Sequence, residues 1–436
     1  MEIGSFGLAL LWLLQYLRGR VMVSDAFTRA WPVVLCLGLV VLWVELQTWP
    51  LPLSLLKALS PGATEIYALT GGHPSFSLNV HATQVGALKT LSYALLFCLT
   101  LLLVNSRPRI KLLAMVIVMS GLFQAAYGSF MTLSGLEYGF FEKKWTYLGK
   151  ATGTFVNRNH LAGYLEMSLA IGIGLMLSEL AAGKAASWRD SARRLLRAVL
   201  GRKMLVRLAL AIMVIGLVLT HSRMGNTAFF VSLTVTGLLY LFATKGFTRG
   251  NLLFFASLLA IDLLIVGNFF GVQEVVDRLQ GTSVTKETRD EVTRDSLEII
   301  KDFPLAGTGV GSYYSVIPKY QSPDIPGNYD HAHNDYIEFA SEFGLPGFAL
   351  LGLVVIYALC SSIVAQFTRR DRLMRGMGFA GTMGIVAMLI HSTVDFNLQI
   401  PANAALFMVV LALAVVSRHF EREVFGSKQG NEASTN

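Results

Sequence analysis

Apolar stretches of about 20 residues recur along the chain, separated by short polar loops rich in Lys and Arg. Such stretches predict helices that cross a bilayer, because about 20 helical residues span its hydrocarbon core. About eleven are predicted, over residues 3–17, 31–47, 84–104, 111–132, 161–181, 204–220, 225–243, 251–270, 345–367, 375–393 and 401–417. The first is short and has no typical cleavage site, so we expect a retained helix. The predicted fold is an all-α polytopic membrane protein, a single integral-membrane domain over residues 1–436.

Lys and Arg are divided unevenly between two sets of loops. Most of them lie around residues 18–29, 107–111, 184–207, 245–249, 369–375 and 418–428, where acids are few. Loops rich in these cations stay in the cytoplasm, so the C-terminus is expected inside and the opposite loops outside. The net charge of +8 then reports membrane topology. No basic domain is apparent, and nucleic acid is not an expected partner.

Composition narrows the chemistry further. The chain is 53% hydrophobic and 15% charged, with a mean hydropathy of +0.54. Its three cysteines, Cys36, Cys98 and Cys360, fall inside predicted spans and offer neither a disulfide framework nor metal-ligand spacing. The glycine-rich segment 307–311 is not followed by Lys-Ser/Thr, so we interpret it as a turn rather than a phosphate-binding loop. No cofactor is expected.

Polar residues collect in four segments that are predicted to reach the outer face. They are residues 150–160 before the fifth span, residues 220–226 between spans six and seven, the end of the loop 271–344, and residues 391–403 between the last two spans. Ionisable groups at membrane boundaries mark functional sites. Their gathering on one face favours catalysis over transport.

The long loop 271–344 has features of its own. Residues 288–302 predict a helix with Val292, Leu297 and Ile300 on an apolar stripe, ended by Phe303-Pro304. Four tyrosines follow: Tyr313, Tyr314, Tyr320 and Tyr329. They suit a cover over a sugar substrate, and they equally suit an aromatic belt at the membrane interface.

Arg158 and Arg223 border apolar helices, where a cation usually has a partner. The planar guanidinium suits phosphate, so the two can form a diphosphate site without a metal. Lys150 competes with Arg158 for this role, and Asn157 and Asn159 flank Arg158. The alternative for each cation is a salt bridge or a side chain that extends to the lipid headgroups.

His333 is the candidate general base, because histidine exchanges protons near neutral pH. It would accept the proton of an acceptor hydroxyl as that oxygen attacks the carbon attached to the diphosphate. The alternative is a histidine that caps the following helix. His331 would point elsewhere if the segment is helical, which favours a structural role. Glu342 is preferred over Glu338 as the residue that closes the loop onto the helix.

His391 and Asp395 are four residues apart and would share one face of a helix. Asp395 can then orient His391 or bind an arginine, although a structural hydrogen-bond network is the favoured interpretation. A metal site built from His333, Asp335 and Glu338 is conceivable, but no compact ligand spacing supports it. We therefore expect no metal.

These segments together resemble the O-antigen ligase superfamily of bacterial membrane proteins, which includes polysaccharide polymerases and O-oligosaccharyltransferases. Residues 153–160, Gly-Thr-Phe-Val-Asn-Arg-Asn-His, are similar to one of its motifs, and Ser222-Arg223 is similar to its Ser-Arg turn. His333-Asn334, followed by Gly344 and Gly347, is similar to its His-Asn-x9-Gly-x-x-Gly pattern. Residues 394–403 resemble an ending common in exopolysaccharide-cluster members. The resemblance covers residues 150–405.

The resemblance implies an inner-membrane glycosyltransferase that needs no metal and acts on the periplasmic face in O-antigen or exopolysaccharide biosynthesis. Its donor would be an undecaprenyl-diphosphate-linked glycan, its acceptor lipid A core for a ligase or a lipid-linked glycan for a polymerase. The ending at residues 394–403 slightly favours the polymerase.

Carried over from the family, His333 is the catalytic base, and Arg223 and Arg158 act with it on the diphosphate. The remaining substrate-binding candidates are Lys150, Asn157, Asn159, Asn334, His391 and Asp395. Many members have arginine where Lys150 stands and proline where Arg158 stands, so the first cation role stays open. Family ligases usually have about twelve spans, and this chain is predicted to lack one near its N-terminus. A transporter or flippase of lipid-linked saccharides is the alternative function.

Overall fold

A computed structural model describes residues 2–179, 202–244, 256, 284–323 and 329–420. These residues form fifteen α-helices and one two-stranded antiparallel hairpin. The helices are α1 Glu2–Leu17, α2 Asp25–Arg29, α3 Trp31–Gln47, α4 Leu53–Leu59, α5 Pro61–Thr70, α6 Val80–Leu103, α7 Arg107–Leu133, α8 Arg158–Glu179, α9 Arg202–Leu219, α10 Arg223–Thr244, α11 Val284–Asp302, α12 Tyr313–Val316, α13 Asp335–Thr368, α14 Arg372–His391 and α15 Pro401–His419. The hairpin pairs β1 Tyr138–Gly139 with β2 Glu142–Lys143.

The all-α membrane fold is confirmed. Among the described residues, seven helices are long and apolar enough to cross a membrane: α6, α7, α8, α10, α13, α14 and α15. Helices α1, α3 and α9 are apolar but shorter. Ten of the predicted spans coincide with these ten helices, and the predicted span 251–270 lies outside the described residues apart from residue 256. The chain is therefore a multi-pass membrane protein.

Helix α13 begins ten residues before the predicted span at 345. Residues 335–343, predicted as the end of the long loop, are helical, and the helix is kinked at Gly344. Gly344 has φ +69°, which a glycine adopts without strain. A Cβ at this position would collide with the backbone of Leu305. The kink thus seats the loop against the helix, and Leu345 N donates to Pro304 O at 2.8 Å.

Helices α8 and α14 form the centre of the bundle and are its most buried spans. They cross where Gly174 faces Gly376, and a Cβ on either glycine would meet the other's backbone carbonyl. Small residues let membrane helices approach closely, which strengthens their packing in an apolar solvent.

The bundle has two chemically different ends. Helices α8, α10, α13 and α15 begin at one end, which we call the site end. At the opposite end, called the basic end, Arg107 forms an ion pair with Asp371 at 3.0 Å. Lys111 and Glu179 lie 4.0 Å apart at that same end. The cation-rich loops at 107–111 and 369–375 therefore share one end, as the sequence predicted, whereas residues 180–201 and 245–250 lie outside the described residues.

The predicted helix in the long loop is present as α11, but its apolar stripe was assigned wrongly in part. Val292 and Ile299 are buried, whereas Leu297 is 42% exposed. The buried face also contains Ser296, whose hydroxyl lies 2.6 Å from the Tyr313 hydroxyl. Tyr320 donates from its hydroxyl to Asp302 at 2.7 Å. Two of the four loop tyrosines thus hold the loop together.

Candidate active site

The site is organised around the ring of Phe396, which contacts three histidine rings. The imidazole of His331 stacks on it with a centroid distance of 4.1 Å. His333 and His160 approach it edge-on, at 5.0 Å and 4.7 Å. His160 belongs to α8, and His331 and His333 precede α13. One aromatic side chain therefore joins three of the four polar segments.

Asp395 is the second junction of the site, and it is buried. Its carboxylate accepts from Asn159 Nδ2 at 2.5 Å and from Phe396 N at 2.9 Å. His160 Nε2 lies 3.7 Å from Asp395 Oδ1, which is an ion-pair distance rather than a hydrogen bond. Burial opposes the charge, but His160, His391 and the Phe396 amide outweigh it and hold the pKa of Asp395 well below its usual range.

Arg158, the first residue of α8, reaches across to the connection between α9 and α10. Its Nη1 donates to His221 O at 3.0 Å, and its guanidinium lies 5.8 Å from the centre of the Tyr147 ring. His221 has φ +53°, a left-handed conformation uncommon for a residue with a side chain. The two candidate arginines, Arg158 and Arg223, therefore flank the same turn.

Arg223 begins α10 and is exposed. In the described parts of the chain, no hydrogen bond or ion pair engages its guanidinium. The turn before it is rigid: Ser222 N donates to Thr220 Oγ1 at 3.1 Å and Asn226 Nδ2 donates to Ser222 O at 2.7 Å. Gly225 lets α10 approach α8, since a Cβ there would lie 2.6 Å from Cβ of Ala162. The arginine is thus held at the end of a fixed backbone.

Lys150 lies beside the same connection. Ala151 N donates to Leu219 O at 2.8 Å, which ties the segment before α8 to the end of α9. The carbonyl of Lys150 accepts from Lys144 Nζ at 2.8 Å. The structure brings all three candidate cations to one region, and it leaves open which of Lys150 and Arg158 takes the first cation role.

His333 stands just outside α13 in a left-handed conformation, with φ +50°. Tyr329 approaches its ring edge-on at 5.9 Å. Such backbone geometry at a residue with a Cβ is held only by its surroundings, and it concentrates at functional sites. The segment before residue 335 is not helical, so the condition under which His331 and His333 were expected to point apart is not met. Both rings contact Phe396.

His331 is bound by Glu338 of α13, a contact that agrees with the structural role that the sequence favoured. Its Nδ1 lies 2.6 Å from Glu338 Oε1, and Ala332 N donates to Glu338 Oε2 at 2.9 Å. Burial disfavours the imidazolium, but the hydrogen bond and the charge of Glu338 outweigh burial and raise the pKa of His331. Glu338 therefore holds the histidine segment onto α13.

Glu342 was preferred as the residue that closes the loop, and it shares this role with Glu338. Its Oε1 accepts from Tyr313 N at 3.1 Å, and its carbonyl accepts from Gly309 N at 3.1 Å. Gln47 adds a bridge, since its Nε2 donates to Glu342 O at 2.9 Å. The backbone amides of the glycine-rich segment 307–311 donate to the protein itself, for example Thr308 N to Ser341 O at 2.9 Å. It is a turn packed on α13, in agreement with the interpretation preferred from the sequence.

Asn334 and Asp335 are both engaged in the protein. Asn334 Oδ1 caps α13 by accepting from the amides of Tyr336 and Ile337 at 3.0 Å and 3.2 Å. Asp335 is buried and accepts from Ser392 Oγ at 2.7 Å. The Asn334 side chain also donates to Thr393 O at 2.9 Å, which joins the third and fourth polar segments. Within the described residues, no cluster of His, Cys, Asp and Glu is arranged to hold a metal ion.

His391 has a different partner from the one expected. Helix α14 ends at His391, so His391 and Asp395 do not share a helical face. Among the described residues, the partners of the Asp395 carboxylate are Asn159, the Phe396 amide and His160, and neither His391 nor an arginine bonds to it. Instead His391 Nδ1 lies 2.8 Å from Glu166 Oε1, and both side chains are fully buried. The favoured hydrogen-bond network exists, but with other members. Glu166 was missed, although an acid inside an apolar span is itself a signal.

The site end of the bundle thus defines a class: a multi-pass membrane protein with histidines, arginines and buried carboxylates at one end of its spans. Residues 208–352 match the model of the family described as O-Antigen ligase. The match includes Arg223, His333 and both motif glycines, Gly344 and Gly347. The match covers less than half of the chain, and it confirms the resemblance seen in the motifs to the O-antigen ligase superfamily. No curated protein matches the chain.

Proposed function

We propose that this protein is a glycosyltransferase that moves a glycan from undecaprenyl diphosphate to a saccharide hydroxyl at the periplasmic face of the inner membrane. The family supports an activity of the ligase or polymerase type. The observation that carries the proposal is the convergence of Arg158, Arg223 and His333 on the site end. Arg158 binds the turn before Arg223, and Phe396 joins the start of α8 to His333. A cation pair and a histidine are the groups that this transfer requires.

His333 is proposed to act as the base. It accepts the proton of the acceptor hydroxyl while that oxygen forms a bond to the anomeric carbon and the bond from that carbon to the diphosphate breaks. The electron pair of the broken bond leaves with the diphosphate. Arg223 and either Arg158 or Lys150 neutralise the charge that develops there, so no metal is required in this scheme. The left-handed backbone and the Phe396 contact fix the direction of the His333 ring.

The remaining site residues are proposed to position these groups. Asn159 and Asp395 hold the start of α8, and with it Arg158, against the segment of Phe396. Asn334 caps α13 and thereby fixes His333. Asn157 Oδ1 accepts from Asn159 N at 2.9 Å, so its side chain shapes the same turn. His391 lies too deep to contact a substrate directly and acts through Glu166.

The test is an assay of the purified protein in lipid nanodiscs with an undecaprenyl-diphosphate oligosaccharide as the sole substrate and a chelator present. A ladder of longer lipid-linked glycans is the expected result for a polymerase. Transfer only after lipid A core is added would identify a ligase. If neither acceptor gives product and the lipid-linked saccharide instead crosses the bilayer of a vesicle, the transporter function replaces this proposal.

A further inference from the structure

A second binding region adjoins the candidate site. A cavity of about 610 Å³ lies between α3, α6, α13, α14 and α15. Its wall is almost entirely apolar. Few of the side chains that line it are polar, among them Lys89, Asp335, Tyr336 and Gln399. Val85 and Ile356 line it and are 41% and 57% exposed, so it opens to the surface of the bundle. An apolar cavity of this size within membrane spans suits a hydrocarbon chain.

The cavity adjoins the catalytic segment but is not lined by the arginines. In the described residues, helices α8, α9 and α10, which hold or adjoin Arg158 and Arg223, contribute nothing to its wall. Its inner end includes Asp335, two residues after His333. Asp335 N donates to Asp395 O at 3.2 Å, so the cavity and the arginine region meet at the same junction. The cavity is therefore built from helices other than those that carry the arginines.

Lys89 supplies a charge at this cavity. Lys89 lies on α6 one turn before Ser92, whose Oγ is 2.6 Å from Oγ of Ser5 in the first turn of α1. The start of α1 marks the outer boundary of the spans, so Lys89 lies near that boundary. Among the described residues, no hydrogen bond or ion pair engages the Lys89 ammonium, although Glu2 is close enough to sense its charge. A cation beside an apolar cavity at a membrane boundary suits the phosphate of a lipid.

We propose that this cavity holds the hydrocarbon chain of a second polyprenyl diphosphate, the lipid-linked acceptor, with Lys89 beside its phosphates. This inference rests on the proposed glycosyl transfer and deepens it. One lipid-linked substrate would then bind beside α13 and the other at the arginines that begin α8 and α10. A polymerase needs that arrangement, because its acceptor carries the same lipid as its donor.

Gly352 offers a way to fill the cavity without disturbing the fold. It lines the cavity, and a Cβ added there would meet no atom within 4 Å. Gly38 has equally free space, but it is exposed on α3 and does not line the cavity. Gly352→Trp and Gly38→Trp therefore form a matched pair. Gly352→Leu is a milder version should the tryptophan impair folding.

The experiment labels the purified protein with undecaprenyl phosphate that carries a photoreactive group at the end of its chain, and maps the labelled peptides. We expect cavity peptides of α6, α13 and α15 to be labelled in the wild type and in Gly38→Trp. In Gly352→Trp, labelling of these peptides should fall about tenfold because the indole occupies the space. It should persist in the Arg158→Ala/Arg223→Ala double variant.

Two results would overturn the inference. One is labelling of the cavity peptides that Gly352→Trp and Gly352→Leu leave unchanged. The other is labelling that disappears with the two arginines, since the chain would then belong to the donor. Labelling needs no catalysis, so an enzyme that fails to transfer glycan yet labels normally would refute the proposed function and not the lipid site.

Discussion

The two ends of the bundle both carry many charges, but they hold them differently. At the basic end the Arg107–Asp371 pair is exposed, with side-chain exposures of 44% and 28%. At the site end Asp395, Glu338 and Glu166 are nearly or fully buried, and each has a specific partner. Burying a carboxylate is unfavourable unless hydrogen bonds compensate. The exposed charges at the basic end therefore agree with a role in membrane orientation. The buried, hydrogen-bonded charges at the site end agree with a functional site.

The strongest way to break this comparison is to remove two arginines from each end. In a Gly352→Trp background, which closes the cavity proposed for the acceptor lipid, Arg158→Ala/Arg223→Ala should weaken binding of undecaprenyl diphosphate by about 100- to 10,000-fold, because two charge-assisted contacts are lost. The control is Arg107→Ala/Arg109→Ala, which should leave binding within about twofold. Equilibrium binding of the labelled lipid in nanodiscs measures both. Equal losses in the two double variants would mean that the arginines act only through topology or folding.

A second comparison sets one aspartate against another. Asp395→Asn should destabilise the protein by about 1–3 kcal/mol, because one amide oxygen cannot replace a carboxylate that accepts from Asn159 and Phe396. Asp371→Asn keeps a residue that caps α14 and loses only an exposed ion pair, so about 0–1 kcal/mol is expected. Thermal unfolding in detergent compares the two. A larger loss in Asp371→Asn would contradict the distinction between the ends.

The smallest expected effect concerns pH and the His331–Glu338 pair. The pKa of His331 is raised in the folded protein above its ordinary value of 6.5. The pair therefore stabilises the fold fully below pH 6.5, and this stabilisation is lost as the pH rises through the folded-state pKa of His331. Glu338→Gln should remove about 1 kcal/mol at low pH and less at high pH. Glu298→Gln, in an exposed pair with Lys301, is the control without such dependence. Ring NMR of labelled histidine should show the His331 pKa falling in Glu338→Gln; an unchanged value would exclude Glu338 as its cause.

The sequence predicted the spans well, because hydrophobicity over about 20 residues does not depend on tertiary contacts. It also predicted that the four polar segments lie at one end, because successive loops alternate between the two sides of a membrane once the spans are known. It failed at the start of α13. Residues 335–343 were assigned to a loop, because their acids obscured a helix whose carboxylates are satisfied by His331, Tyr313 and Ser392.

Pairings across the bundle were the part that the sequence could not supply. The Glu166–His391 pair joins residues 225 positions apart, so no local sequence pattern predicts it. Phe396 was seen only as part of a motif, although three histidine rings meet on it. The Phe396 contacts join two non-helical segments to the start of α8, whereas the Glu166–His391 contact depends on how α8 and α14 are rotated about their axes. Hydrophobic patterns do not fix that rotation in a lipid solvent.

The most direct test of the central claim is a single-turnover measurement on His333→Ala with radiolabelled donor bound in advance. The exposed His81, changed to alanine, is the matched control. We predict that His333→Ala binds undecaprenyl-diphosphate oligosaccharide with wild-type affinity but transfers glycan about 100- to 10,000-fold more slowly, whereas His81→Ala does both normally. Transfer at the wild-type rate by His333→Ala would contradict the assignment of His333 as the base and, with it, the account of the site end as a catalytic centre.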